Sequence, residues 1–133
     1  MILRNCVSIN NGQKKTTEDP TYGAGFIGGS PSMQYIDCTS QGNLYGFHLM
    51  DGATVIRGKD TGSTYAFRTT DYSNIVLTDC WSDQAGQWAF YGINSHDVTA
   101  TNFKVTNPEG NPAPAVLVDS PAYPSYNMNV QLG

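Results

Sequence analysis

Apolar and polar residues alternate along this chain with a period of two, in short runs that recur. They read Met33-Gln34-Tyr35-Ile36-Asp37-Cys38, Val55-Ile56-Arg57-Gly58-Lys59-Asp60, Ile75-Val76-Leu77-Thr78-Asp79-Cys80 and Val98-Thr99-Ala100-Thr101-Asn102-Phe103. A period of two is the signature of a strand with one face buried. Ahead of each run stands a short segment ending in Phe: Ala24-Gly25-Phe26, Tyr45-Gly46-Phe47, Tyr65-Ala66-Phe67 and Trp88-Ala89-Phe90. These Phe residues lie 21, 20 and 23 positions apart. Turn-forming pieces such as Asp51-Gly52, Asp71-Tyr72-Ser73-Asn74, Gln84-Ala85-Gly86 and Asn94-Ser95-His96-Asp97 separate the runs. No window shows a helical period. The units are too long for hairpins and too short for strand–helix–strand crossovers, so the repeat predicts one coil of a parallel β-solenoid.

Stacked coils place equivalent residues in ladders ~4.8 Å apart. Phe26, Phe47, Phe67 and Phe90 are then expected to stack inside, with Met33, Val55, Ile75 and Val98 as a second internal column. The opening Ile2-Leu3-Arg4-Asn5-Cys6 reads as the end of one more copy. Cys6, Cys38 and Cys80 fall at one position of their coils, with Asp60 and Phe103 in the same column. They read as buried free thiols. Cys38 and Cys80, two coils apart, are too distant for a disulfide at ~9.6 Å.

Coils are expected at about 22–43, 44–63, 64–86 and 87–113 after a partial one at 1–11, giving a single domain over 1–133. Residues 11–21, with Lys14, Lys15, Glu18, Asp19 and Pro20, form an exposed loop insertion in this reading. Residues 114–133, with Pro114, Pro121 and Pro124, form a terminating segment. Because the repeat begins inside a coil, the chain is expected to be a piece of a longer solenoid, or to have its open N-terminal coil covered by another chain or in a homotrimer.

The pattern of a short Gly–aromatic strand, a turn and apolar-x-apolar-x-Asp/Asn resembles the right-handed parallel β-helix of the pectate-lyase-like superfamily. That group includes polysaccharide lyases, mannuronan epimerases and phage tailspike depolymerases. Tyr45-Gly46-Phe47-His48-Leu49 with Val55 through Asp60, and Trp88-Ala89-Phe90-Tyr91 with Val98 through Phe103, carry the likeness, which spans about 22–107. It implies an all-β, right-handed parallel β-helix (solenoid) of about five coils, each roughly 20–25 residues. It also implies a carbohydrate-directed role, extracellular or on a virion, but no catalytic signature transfers position by position.

The residues following the inward Phe positions should face out. His48, Arg68 and Tyr91 would then form one column on three coils, flanked by the small Gly46, Ala66 and Ala89, which would keep the strip accessible. Arg pairs with uronate carboxylates, Tyr offers a stacking face, and His titrates near neutrality. These three are therefore the candidates for binding polysaccharide and for catalysing its cleavage, since proton abstraction from a uronate needs a base and a neutralising cation. A weaker candidate pair is Asp37 and Asp79, two rungs apart, with Lys59 between them holding both ionised and leaving no general acid. Trp81, Tyr72, Tyr123 and Tyr126 are further stacking candidates, and His96-Asp97 reads as a turn. The alternative function is a non-catalytic structural solenoid for assembly.

Composition narrows the partners. Only 14% of the 133 residues are charged and the net charge is −4, with no Lys/Arg run, which disfavours nucleic acid and anionic membranes. Asn, Ser and Thr supply about a quarter of the chain, so the polar surface is built of amides and hydroxyls. With two His and no clustered carboxylates, no metal site and no cofactor is expected.

Overall fold

The computed structural model describes residues 1–11, 23–28, 32–106, 116–117 and 126–132. Fifteen strands make up the described secondary structure, and among these residues there is no helix. The strands form three parallel faces of a β-solenoid. The first face carries β1 (Ile2–Arg4), β4 (Gln34–Ile36), β7 (Thr54–Ile56), β10 (Ser73–Thr78), the start of β13 (His96–Thr106) and β15 (Tyr126–Leu132). The second carries β2 (Val7–Ile9), β5 (Thr39–Gln41), β8 (Lys59–Thr61), β11 (Trp81–Asp83) and the end of β13. The third carries β3 (Ala24–Ile27), β6 (Tyr45–His48), β9 (Tyr65–Thr70), β12 (Trp88–Ile93) and β14 (Val116–Leu117). The unbroken stretch 32–106 makes about three turns. The five expected coils reduce to this because the first and last run through residues outside those described. The expected loop lies outside them beyond Asn11, and the tail adds β14 and β15 to the ladders in parallel.

Three corners turn the chain, and each is a stack of residues in the left-handed region. Asn5, Asp37, Arg57, Asp79 and Asn102 have φ of 53°, 54°, 53°, 54° and 55°. Asn10, Gly42, Gly62 and Gln84 form a second stack, and Ser32, Gly52, Asn74 and Asp97 a third. Asn, Asp and Gly tolerate this conformation best, which accounts for much of the amide- and Gly-rich composition.

The expected Phe column is present and buried: the rings of Phe26, Phe47 and Phe67 stack at 5.0 and 4.9 Å, and Phe103 packs edge-on against Phe67 and Phe90. The second internal column differs from expectation by two residues. Tyr35 pairs with Val55 and Val55 with Leu77, so one column is Leu3, Tyr35, Val55, Leu77 and Ala100. Ile75 pairs with Val98 as expected, and Ala53 takes the place expected for Val55: Thr54 N–H donates to the Met33 carbonyl and Val76 N–H to that of Ala53. A slip of two leaves the same side chains facing inward, so alternation alone does not reveal it. The slip also replaces Asp60 by Gly58 in the cysteine column, where Trp81 N–H donates to the Gly58 carbonyl and Lys59 N–H to that of Cys38.

Asp60 belongs instead to an inward polar column with Ser8, Ser40 and Ser82. Its carboxylate is fully buried. Oδ1 accepts from the Ser40 and Ser63 hydroxyls, each at 2.5 Å, and Oδ2 from Ser63 N–H at 3.2 Å. Burial pushes its pKa up to about 6, against the pull of those hydrogen bonds.

Candidate functional site

Strand pairing at the Phe column puts His48, Arg68 and Tyr91 side by side on the third face, with Ile27 before them. A neighbouring column holds Tyr45, Tyr65 and Trp88. Both columns face outward although they are three residues apart. The reason is a break in alternation. Gly46, Ala66 and Ala89 are buried, and a Cβ on Gly46 would press on Asp60 Oδ1 and come within 2.5 Å of the Ala66 carbonyl oxygen. These small residues therefore serve the interior and not, as expected, the accessibility of the strip.

The outer face that results is a continuous aromatic patch. Tyr45 and Tyr65 have ring centroids 5.3 Å apart, Tyr65 and Tyr91 5.2 Å, and Trp88 and Tyr91 6.3 Å. The Arg68 guanidinium carbon sits 4.3 Å from the Tyr45 ring centroid, a cation–π contact. No carboxylate lies within ion-pair distance of Arg68 among the described residues. Tyr72 closes one side, its ring 6.3 Å from that of His48.

His48 is only 4% exposed, beneath its neighbours. Arg68 Nη1 donates to His48 Nε2 across a long 3.5 Å. An Nε2 that accepts leaves the hydrogen on Nδ1, and that atom is buried without a partner. Burial, and then the charge of Arg68, lower the His48 pKa to about 4. At neutral pH this imidazole is uncharged and a weak base. Tyr65, Arg68, Trp88 and Tyr91 are half-buried, so their outer edges meet solvent.

The structure corrects the cation in the acidic column. Arg57, not Lys59, follows Asp37 and precedes Asp79 at the first corner. Arg57 donates to both Asp37 oxygens, at 2.6 and 3.0 Å, and this hydrogen bonding lowers the Asp37 pKa. Asp79 Oδ1 accepts from Asn102 Nδ2 at 2.8 Å. Both carboxylates are exposed corner groups tied to the rungs beside them, an arrangement suited to holding the turns.

Lys59 lies on the second face, where its Nζ and that of Lys104 stand 3.9 and 4.1 Å from the ring centroid of Trp81, the residue between them in the column. The Trp81 indole N–H donates to Thr106 Oγ1 at 2.8 Å, so this ring is engaged in its own sheet. The His96 Nδ1 and Asp97 Oδ2 atoms are 2.7 Å apart at the third corner. Tyr123 and the Tyr126 side chain lie outside the described residues. No group of three or more metal-ligating side chains gathers among the described residues.

Sequence reasoning missed Tyr45, Tyr65 and Trp88. A signal exists in the triplets Tyr45-x-x-His48, Tyr65-x-x-Arg68 and Trp88-x-x-Tyr91, an aromatic three residues ahead of each outward position in successive coils. Comparison with protein families, with curated proteins and with solved structures finds no match to this chain.

Proposed function

We propose that the third face binds an extended polysaccharide, in the manner of a carbohydrate-directed module of a pectate-lyase-like or tailspike-type β-helix. The observation that carries this reading is the half-buried patch of Tyr65, Trp88 and Tyr91 beside Arg68, repeated at rung spacing. Flat rings held by a rigid sheet offer apolar area to the faces of sugar rings with little entropy to lose. The guanidinium adds a donor for hydroxyls or acidic groups. Binding is favoured over cleavage, because His48, the candidate base on this face, is covered and weakly basic.

The test is a panel of acidic and neutral polysaccharides read by affinity electrophoresis and melting temperature. Retardation or a melting shift is expected with at least one polymer, lost in Tyr65→Ala and Arg68→Ala. A chain that responds to none of them refutes the reading.

A second reading, a structural solenoid for assembly, is favoured by one observation. Apart from Arg4, the outward strand positions of the first coil are apolar: Ile2, Val7, Ile9 and Ile27 are 50, 64, 48 and 46% exposed. The same columns continue as Gln34, Thr39, Gln41 and His48 in the next coil. Sedimentation would separate the two readings: a monomer at all concentrations removes the assembly role.

A further inference from the structure

We infer that Cys6 and Cys38 are a disulfide-forming pair that staples the first coil of the solenoid to the second. Both are free thiols in the structure. They occupy one column on adjacent rungs: Arg4 pairs with Ile36 and Val7 with Thr39 on either side of them. Thr39 N–H donates to the Cys6 carbonyl at 2.9 Å, which fixes the two backbones against each other. Neighbouring parallel strands hold paired residues ~4.8 Å apart, inside the Cα range of about 4.4–6.8 Å that a disulfide spans. The Cys38 thiol already leans toward the first coil, with its Sγ 3.5 Å from the Leu3 carbonyl oxygen. Burial raises the Cys38 pKa, and the Cys6 thiol beside it adds to the rise by charge and by hydrogen bonding.

The third cysteine is an internal control. Gly58 stands between Cys38 and Cys80 in the column, so those two are two rungs apart, ~9.6 Å, beyond reach of a disulfide. Burial also pushes the Cys80 thiol up to about 12.

The chemistry requires a two-electron oxidant, and a small disulfide such as oxidised glutathione supplies it. Cys6 is half-buried and therefore reachable, whereas Cys38 is fully buried. The Cys6 thiolate attacks the oxidant, forming a mixed disulfide and releasing one glutathione thiolate. Cys38, on losing its proton, attacks the Cys6 sulfur, forming the internal bond and releasing the second thiolate. The two protons lost by the cysteines are taken up by the two glutathiones, and both cysteine sulfurs are oxidised as the oxidant is reduced.

Such a bond acts where the fold needs it. Ile2 and Gln34 are paired neighbours separated by 32 positions in sequence, against 20 between Gln34 and Thr54. The two strands flanking Cys6, β1 and β2, bury little, only Leu3 and Ser8 being half-buried. The first coil is thus the part that opens most readily, and a covalent tie restricts that opening.

The experiment treats the full chain with oxidised glutathione in mildly alkaline buffer, blocks remaining thiols in denaturant, and measures intact mass and a tryptic map. The expected product is a monomer lacking two hydrogens, with the Cys6 and Cys38 peptides joined and Cys80 alone blocked. Its melting temperature rises, and dithiothreitol reverses the rise. Cys6→Ser abolishes the product and Cys80→Ser does not. Glutathione retained on Cys6 with Cys38 free, a Cys6-linked dimer, a Cys38–Cys80 link or no reaction would each overturn the inference, and the wild-type map decides among them even if a variant folds poorly.

Discussion

Two buried groups titrate in opposite directions across the same pH range, and separating them tests the reading of the interior. Asp60 is held at about 6 in the fold against 3.8 when solvated, so between those values the folded chain binds the extra proton. Stability from this group is therefore present at low pH and is lost as pH rises through about 6. At 1.36 kcal/mol per pH unit the loss amounts to about 3 kcal/mol. His48 is held at about 4 against 6.5, so there the unfolded chain binds the extra proton. Its contribution is present above 6.5 and lost as pH falls toward 4, again by about 3 kcal/mol. The two nearly cancel, and the wild-type chain should show little net change from these groups across this window. Asp60→Asn removes one side of the balance. The Ser40 and Ser63 hydroxyls can rotate to accept from its amide while its oxygen accepts from Ser63 N–H, so the polar column stays satisfied. Urea unfolding followed by tryptophan fluorescence should show Asp60→Asn gaining about 3 kcal/mol relative to wild type as pH rises from about 4 to about 6. His48→Gln should show the opposite slope. Parallel pH profiles for wild type and Asp60→Asn would refute the claim that burial raises this carboxylate's pKa in the fold.

Phe67→Ala, at the centre of the ring stack between Phe47 and Phe103, should cost about 3–5 kcal/mol in the same assay. Gly46→Ala should cost about 1–3 kcal/mol, because its Cβ meets the Asp60 carboxylate and the backbone of Ala66. At Gly62, with φ of 73° and open space around it, the strain is conformational only: Gly62→Val should lose about 1–2 kcal/mol, and Gly62→Asn should stay close to wild type. Trp81→Lys would stack three ammonium groups on successive rungs, so it should be less stable than Trp81→Gln at low salt, by about 1 kcal/mol, with the gap closing in high salt.

The parallel solenoid was legible because its two main signals are local. The Phe spacing marks the coil, and alternation marks the strands. The His48–Arg68–Tyr91 column was legible for the same reason, since each of these residues immediately follows a Phe that pairs with another Phe in an adjacent coil. Register on the first face was not, because shifting Val55 from Tyr35 to Met33 changes no residue's facing. The residue that would have set it is Arg57, which occupies a left-handed corner otherwise given to Asn and Asp and so does not look like a corner residue. The aromatic column of Tyr45, Tyr65 and Trp88 was hidden by a departure from alternation. At Gly46 the departure goes with Asp60, on the second face, whose carboxylate leaves no room for a Cβ there.

The amide-rich surface has its origin in stacking. In a solenoid every residue has a counterpart above and below at ~4.8 Å, so identical charges in one column would repel by about 1 kcal/mol in a water-like medium and about 3 near a protein surface. Among the described residues, no column fixed by strand pairing puts two like charges on adjacent rungs. Lys59 and Lys104 are separated by Trp81, and Asp83 lies between Thr61 and Thr106. At the first corner the order is Asp37, Arg57, Asp79, with Asn5 and Asn102 outside them. Neutral residues can repeat without this penalty, and Thr, Ser, Gln and Asn fill most remaining outward positions. Aromatic rings also repeat freely, because stacked neighbours attract. The same rule that keeps charge sparse on two faces permits the third to carry an uninterrupted aromatic strip with one guanidinium in it. On the proposed function, a polymer lying along that face would meet rings at the spacing of the rungs themselves.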